Sequence, residues 1–251
     1  VADFRMRYFN SDGSRASMCG NGARSIVRFA KILGVIGRGK SEGRFQSDAG
    51  IIRYKFLKNN IMIKVGLTEP RDLEMDFSFK VGGKKLTASF INTGVPHTVI
   101  FISENRDVFS RHIDFGNLEI DAIGRQVRFH ERFKSRGGTN VNFVKLISGG
   151  KKSFIKVRTY ERGVEGETLA CGTGVTASAL IAGIKKMVEP PVKVLTRGGE
   201  ILEVDYDLIF SQHSFCPPTG KVVGQHSILP HIKNVHLSGS AVVTFEGRVS
   251  I

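Results

Sequence analysis

The sequence predicts an α+β protein of two similar lobes with a site between them. Short apolar runs of strand character, separated by Gly, Asn, Asp and Pro, occupy much of the chain. Among them lie two copies of one unit, a strand followed by Cys-Gly-x-Gly, a helix and another strand, placed at Cys19-Gly20-Asn21-Gly22 and Cys171-Gly172-Thr173-Gly174. The next landmarks keep step. Ser47-Asp48-Ala49-Gly50 and Thr196-Arg197-Gly198-Gly199 each precede a strand at nearly the separation of the two cysteines. A single Cys-Gly-x-Gly reads as a helix start with a buried thiol; two in matching contexts read as a duplication.

The elements follow in order. Phe4 to Phe9 alternates as a strand, and Asn10-Ser11-Asp12-Gly13-Ser14 is a turn built from residues that bond their own backbone or tolerate positive φ. From Gly22, Ala23, Ile26, Val27, Ala30 and Leu33 recur at helical spacing, and Gly34 supplies the stop. Residues 44–66 read as strands, with a hairpin across Lys58-Asn59-Asn60. Further strands are expected at Leu86 to Phe90, Thr98 to Ile102, Asn140 to Leu146 and Phe154 to Tyr160, with a short helix in Ile120 to Phe129. Val175 to Met187 is apolar on nearly every face, the pattern of a helix buried on all sides. Val192 to Leu195, Ile201 to Tyr206 and Ala241 to Phe245 complete the strands, and residues 210–233 read as a surface insertion. The lobes are expected at 1–84 and 85–251.

Composition narrows the function classes. Of 251 residues, 41% are hydrophobic and 24% charged, which is a globular balance, and no apolar run is long enough for a membrane helix. The formal charge of +14 admits an anionic partner. The basic residues are scattered without aromatic interleaving, however, so a solvated surface is the reading and neither nucleic acid nor membrane is expected as a partner. Cys19, Cys171 and Cys216 are odd in number and irregular in spacing, which argues against a disulfide framework and for a reducing, cytoplasmic setting. Cys216 lies near His213, His226 and His231, but the spacing fits no metal-ligand pattern, so no metal site is expected.

A thiol at a helix N-terminus meets unpaired N–H groups and the positive end of the dipole, which favours thiolate and lets the sulfur act as a base. The glycines beside it let the backbone turn its N–H groups toward a carboxylate. Two such cradles face to face would set one sulfur on each side of a small substrate, suited to removing a proton from one face and returning one to the other.

These residues resemble a known family. Asn10 to Ser14 with Met18 to Arg24, Tyr160-Glu161-Arg162-Gly163, and Glu167 to Gly174 are similar to the motifs of diaminopimelate epimerases. The resemblance implies two pseudo-symmetric lobes, each a curled, mainly antiparallel sheet around a central helix. It implies cofactor-independent interconversion of LL- and meso-diaminopimelate in lysine and peptidoglycan biosynthesis, with Cys19 and Cys171 as the acid/base pair and His97 and Glu161 beside them. Asn10, Gly20, Asn21, Asn140, Glu161, Arg162, Gly172 and Thr173 match positions that hold the substrate. A homodimer is compatible with it. Alone, His97 would read as a satisfied core histidine, Asn140 as a turn residue and Arg162 as half of a surface ion pair. For Arg162 there is a separate argument, since a guanidinium grips a carboxylate through two parallel bonds.

The family ordinarily carries an earlier segment with a Gly-Asn-Asp-Phe motif, and its absence here leads to the expectation of a first lobe lacking its N-terminal strands. Many members have Asn where Val95 stands. Proline racemase or hydroxyproline epimerase shares the two-thiol logic, but Asn21 and Ala170 stand where those enzymes usually carry His and Asp. A homologue that binds substrate without turning it over is the other alternative.

Overall fold

A computed structural model describes residues 1–9, 13–16, 18–57, 61–109, 114–147, 154–210 and 229–244. The first part of the chain forms β1 (Tyr8–Phe9), β2 (Arg15–Ala16), α1 (Gly20–Ile32), β3 (Glu42–Ser47), β4 (Gly50–Leu57), β5 (Met62–Gly66), β6 (Arg71–Val81), β7 (Lys84–Asn92) and β8 (Pro96–Phe101). There follow α2 (Ile120–Arg128), β9 (Asn140–Ile147), β10 (Phe154–Glu161), β11 (Gly166–Thr168), α3 (Gly172–Ile184), β12 (Val192–Leu195), β13 (Ile201–Ile209) and β14 (His231–Ser240).

Apart from the β1–β2 ribbon, these strands join in one sheet of order β3-β4-β5-β14-β13-β12-β10-β9-β8-β7-β6, with β11 paired to β10. The ladders are antiparallel except β8–β9 and β10–β12, whose crossovers carry α2 and α3. The α+β prediction with a mainly antiparallel sheet holds. The last strand, β14, returns to the middle, pairing β5 on one side and β13 on the other. It thereby ties the part of the sheet around α1 to the part around α3.

The two helices are buried differently because their sequences differ. In α1 a stripe of Ala23, Val27 and Ala30 faces the core while Phe29, Ile32 and Leu33 stay exposed. In α3 every residue from Gly174 to Gly183 is buried, and its polar members are satisfied internally: Thr176 Oγ1 donates to Gly172 O at 2.9 Å and Ser178 Oγ to Gly174 O at 2.8 Å. A helix with no polar face must be covered on all sides, here by the sheet strands packed around it.

One ion pair between a buried arginine and a half-buried glutamate fixes the strand that leads into α3. Arg158 on β10 forks onto Glu167 on β11 through Nε–Oε1 and Nη2–Oε2 bonds of 2.6 Å each, and its Nη1 donates to Phe115 O and Leu118 O. Arg158→Met would leave the Glu167 carboxylate without its main partner, and we expect a loss of about 3 kcal/mol in urea unfolding. A change within about 0.5 kcal/mol would show the pair to be neutral.

Several expectations are corrected. Phe4 to Phe9 is not a full strand: Arg5 makes an isolated parallel bridge to Gln46, and only Tyr8–Phe9 pairs with β2. The long strand β6 was not foreseen, because bulges between Arg71, Glu74 and Phe77 break its alternation. The final strand is His231–Ser240, ahead of the expected Ala241 to Phe245. It takes in the last three residues assigned to the insertion, and 241–244 are irregular and largely exposed. Its polar residues hid it. The rest of the insertion, apart from Phe210, Leu229 and Pro230, lies outside the described residues, as do Cys216, His213, His226 and Phe245.

Candidate active site

Both Cys-Gly-x-Gly motifs form helix starts, with Cys19 as the N-cap of α1 and Cys171 as the N-cap of α3, each in extended backbone. The two starts converge on one side chain of β14. A Cβ on Gly20 would lie 3.0 Å from Leu237 Cδ2, and one on Gly172 would lie 3.1 Å from the same atom and 3.3 Å from Asn21 Oδ1. Only glycine brings both helix ends this close to Leu237 without displacing it.

The ends open into one cleft of about 1200 Å³, lined by Cys19, Gly20, Asn21, Cys171, Gly172 and Thr173 together with Asn140, Glu161 and Arg162. Thus most of the sequence-predicted residues are brought together on one surface. Asn10 lies outside the described residues. His97 is fully buried on β8.

The thiols occupy unlike settings. Cys19 is partly exposed, and its Sγ accepts a hydrogen bond from the Gly22 N–H at 3.4 Å. Cys171 is buried, with its Sγ 3.4 Å from Thr173 Oγ1. Burial first, and then the Glu161 carboxylate, push the Cys171 thiol up to about 12; Thr173 and the Gly174 backbone offset only part of this. Cys171 is therefore held as a thiol in this conformation.

The side chains expected to bind substrate are braced. Asn140 Oδ1 accepts from the Arg162 backbone N–H at 2.8 Å, and its Nδ2 donates to Pro96 O at 3.0 Å, joining the ends of β8 and β10 at the cleft wall. The Arg162 guanidinium, which lines the cleft, makes one hydrogen bond among the described residues, Nη1 to Arg136 O at 3.4 Å. Glu161 Oε2 accepts from Thr168 Oγ1 at 2.8 Å.

His97 is neutral. Burial and the nearby Arg162 charge bring it down to about 3, against a smaller opposing effect from Asn142. Its Nδ1 lies 3.0 Å from Asn142 Nδ2, while its Nε2 is buried without a hydrogen-bond partner among the described residues.

Four contributors were missed by sequence reasoning. Tyr8 lines the cleft, and the Cys19 sulfur, then burial and Glu161, raise its phenol above its ordinary value. Arg24 is 4% exposed, and the Cys19 thiol lies within reach of its charge; its Nη2 is 3.6 Å from Glu200, and Nε and Nη1 have no hydrogen-bond partner among the described residues. Thr168 steadies Glu161, and Asn142 holds His97. Arg24 and Thr168 sit inside the quoted motifs, and that proximity was the available signal.

Comparison with known proteins decides between the two epimerase alternatives. Residues 89–207 match the family model described as diaminopimelate epimerase. The chain is 42% identical to the diaminopimelate epimerase of Aquifex aeolicus over 249 residues, covering 99% of this chain and 75% of that protein. The chain belongs to the diaminopimelate epimerase family. A second relative, the diaminopimelate epimerase of Archaeoglobus fulgidus, is 39% identical over 79% of this chain and 67% of its own length. Membership makes this protein an isomerase of the epimerase class.

Solved structures agree on the fold. A probable proline racemase from Agrobacterium radiobacter superposes with a TM-score of 0.71 at 13% identity, over 100% of this chain and 72% of that one. A Bacillus anthracis phenazine biosynthesis protein of the PhzF family does so at 0.64 and 17%, over 98% and 80%. At such identities these show a shared architecture, while the sequence relatives carry the family assignment. Among the described residues no helix is long and apolar enough to cross a membrane.

Proposed function

We propose that the protein interconverts LL- and meso-diaminopimelate by proton transfer between Cys19, Cys171 and a single α-carbon. The supporting observation is that the N-caps of two different helices, both cysteines, line one cleft. The N–H groups that open α1 and α3 receive the α-carboxylate, and their dipoles stabilise the charge that builds on it as the α-proton leaves.

In one direction the Cys19 thiolate takes the α-proton, the electron pair spreads into the carboxylate, and the Cys171 thiol gives its proton to the opposite face. The enzyme is left with a Cys19 thiol and a Cys171 thiolate, and the reverse reaction restores the start. Burial and Glu161 favour Cys171 as the acid, which leaves Cys19, whose sulfur accepts the Gly22 N–H, as the base. The thiols perform this acid/base work without a cofactor, and both must stay reduced, which suits the cytoplasm and the biosynthesis of lysine and peptidoglycan precursors.

His97 and Glu161 set the character of the thiols, and Arg162 with Asn140 and Thr173 holds the rest of the molecule. A cleft carrying Arg15, Arg71, Arg128 and Arg162 alongside Glu69 and Glu161 suits a small molecule with two carboxylates and two ammonium groups. Nucleic acid and membrane play no part in this reading. We take residues 1–84 and 85–251 as the two lobes, and a homodimer as the assembly.

The test is turnover. The purified protein should convert LL-diaminopimelate to a mixture with the meso form, read by chiral chromatography, and leave L-proline unchanged. Racemisation of proline in place of diaminopimelate, or binding without conversion, would overturn the assignment.

A further inference from the structure

We propose that Asn142 is a positioning residue that fixes His97 as its Nε2–H tautomer and so keeps one uncommitted N–H donor beside the cleft wall for an anionic atom of the bound complex. The orientation of the amide follows from its partners. Asn142 Nδ2 lies 3.2 Å from Thr98 O, a group that can only accept, so the nitrogen faces that way. The other end agrees, since Thr159 Oγ1 donates to Asn142 Oδ1 at 3.0 Å. The second Nδ2 hydrogen is then aimed at His97 Nδ1, 3.0 Å away. That ring nitrogen must accept, and the ring proton belongs on Nε2.

The amide has no room to turn. His97, Thr98 and Asn142 are fully buried and Thr159 is nearly so. A Cβ on Gly174 in the first turn of α3 would come within 2.2 Å of Asn142 Oδ1, so the helix that carries Cys171 is pressed against the same amide. What results is a buried N–H with no partner among the described residues, a group that costs about 1–3 kcal/mol when left unsatisfied. Such a cost is recovered when an acceptor arrives; His97 stands one layer behind the cleft, paired in the sheet with Asn140, which lines the cleft beside Arg162, and the acceptor proposed is a carboxylate or thiolate of the bound complex. Asn142 follows Asn140 by two residues in β9, so one strand supplies both the brace of the cleft wall and the brace of the histidine.

Nitrogen-15 correlation spectra of histidine-labelled protein at neutral pH test this directly, with His97 assigned by its loss in His97→Gln. The expected spectrum has His97 Nε2 protonated and Nδ1 bare. In Asn142→Ala, the two tautomers should mix, and kcat for epimerisation should fall about a hundredfold with little change in KM. A protonated Nδ1 in the wild-type protein overturns the proposal, as does a folded Asn142→Ala that keeps both the wild-type tautomer and the wild-type kcat. Should that variant fail to fold, the wild-type spectrum decides by itself. Only the kinetic arm rests on the epimerase reading, so failure of that reading and failure of this proposal give different results.

Discussion

Cys19→Ala and Cys171→Ala each lower kcat for epimerisation by about 10³- to 10⁴-fold, the upper range of what a positioned acid or base contributes. The loss is not the same in kind for the two variants. Without Cys171, Cys19 can still remove and return the α-proton of the diastereomer whose hydrogen faces it, so hydrogen exchanges with solvent while the configuration is kept. Without Cys19, the complementary diastereomer exchanges, and more slowly, because Cys171 must first lose the proton that burial and Glu161 hold on it. Each variant should therefore exchange one diastereomer and invert neither, as read by proton NMR in deuterated buffer. Substantial inversion by either variant would refute the two-base assignment, because no third acid/base group has been placed on the missing face.

Acidification costs this protein stability through His97. The imidazole is held neutral down to about pH 3, against an ordinary value of 6.5 in the unfolded chain. A group depressed on folding contributes its full stability above its unfolded value and loses it as the pH falls toward the folded one. The contribution is therefore complete above about pH 6.5 and fades between there and about pH 3, amounting to on the order of 4 kcal/mol over the window. Urea unfolding of wild type and His97→Gln at pH 7 and pH 4 isolates it. The wild type should lose about 3 kcal/mol more than the variant on going to pH 4. Equal losses would mean that His97 accepts a proton in the folded state.

The amount of this legible in the sequence follows the range of the interactions involved. The starts of α1 and α3 were readable because the Cys-Gly-x-Gly cradle and the apolar periodicity are local, and the β4–β5 pairing because its two alternating runs are close in the chain. The placement of β14 was not. Its pairing with both β5 and β13 joins residues far apart in the chain, and its polar face, with Lys233, Asn234 and His236, conceals the strand. In the site, Cys19 and Cys171 could be named from the repeated motif and Arg162 from its guanidinium, while Glu161 came only with the family resemblance. Tyr8 and Asn142 could not, since a tyrosine or an asparagine acquires a role only through what the fold sets against it.

Stereospecific isotope uptake separates two sulfurs acting on opposite faces from every one-base alternative. LL-diaminopimelate is incubated with the wild-type protein in D₂O, and both diastereomers are followed by NMR through the first turnovers. With two thiols acting across the carbon, deuterium appears at the inverted centre of the meso product from the outset while the remaining LL form keeps its protium. Deuterium entering the unreacted LL form as fast as the product, or protium carried across into the product, would contradict the account.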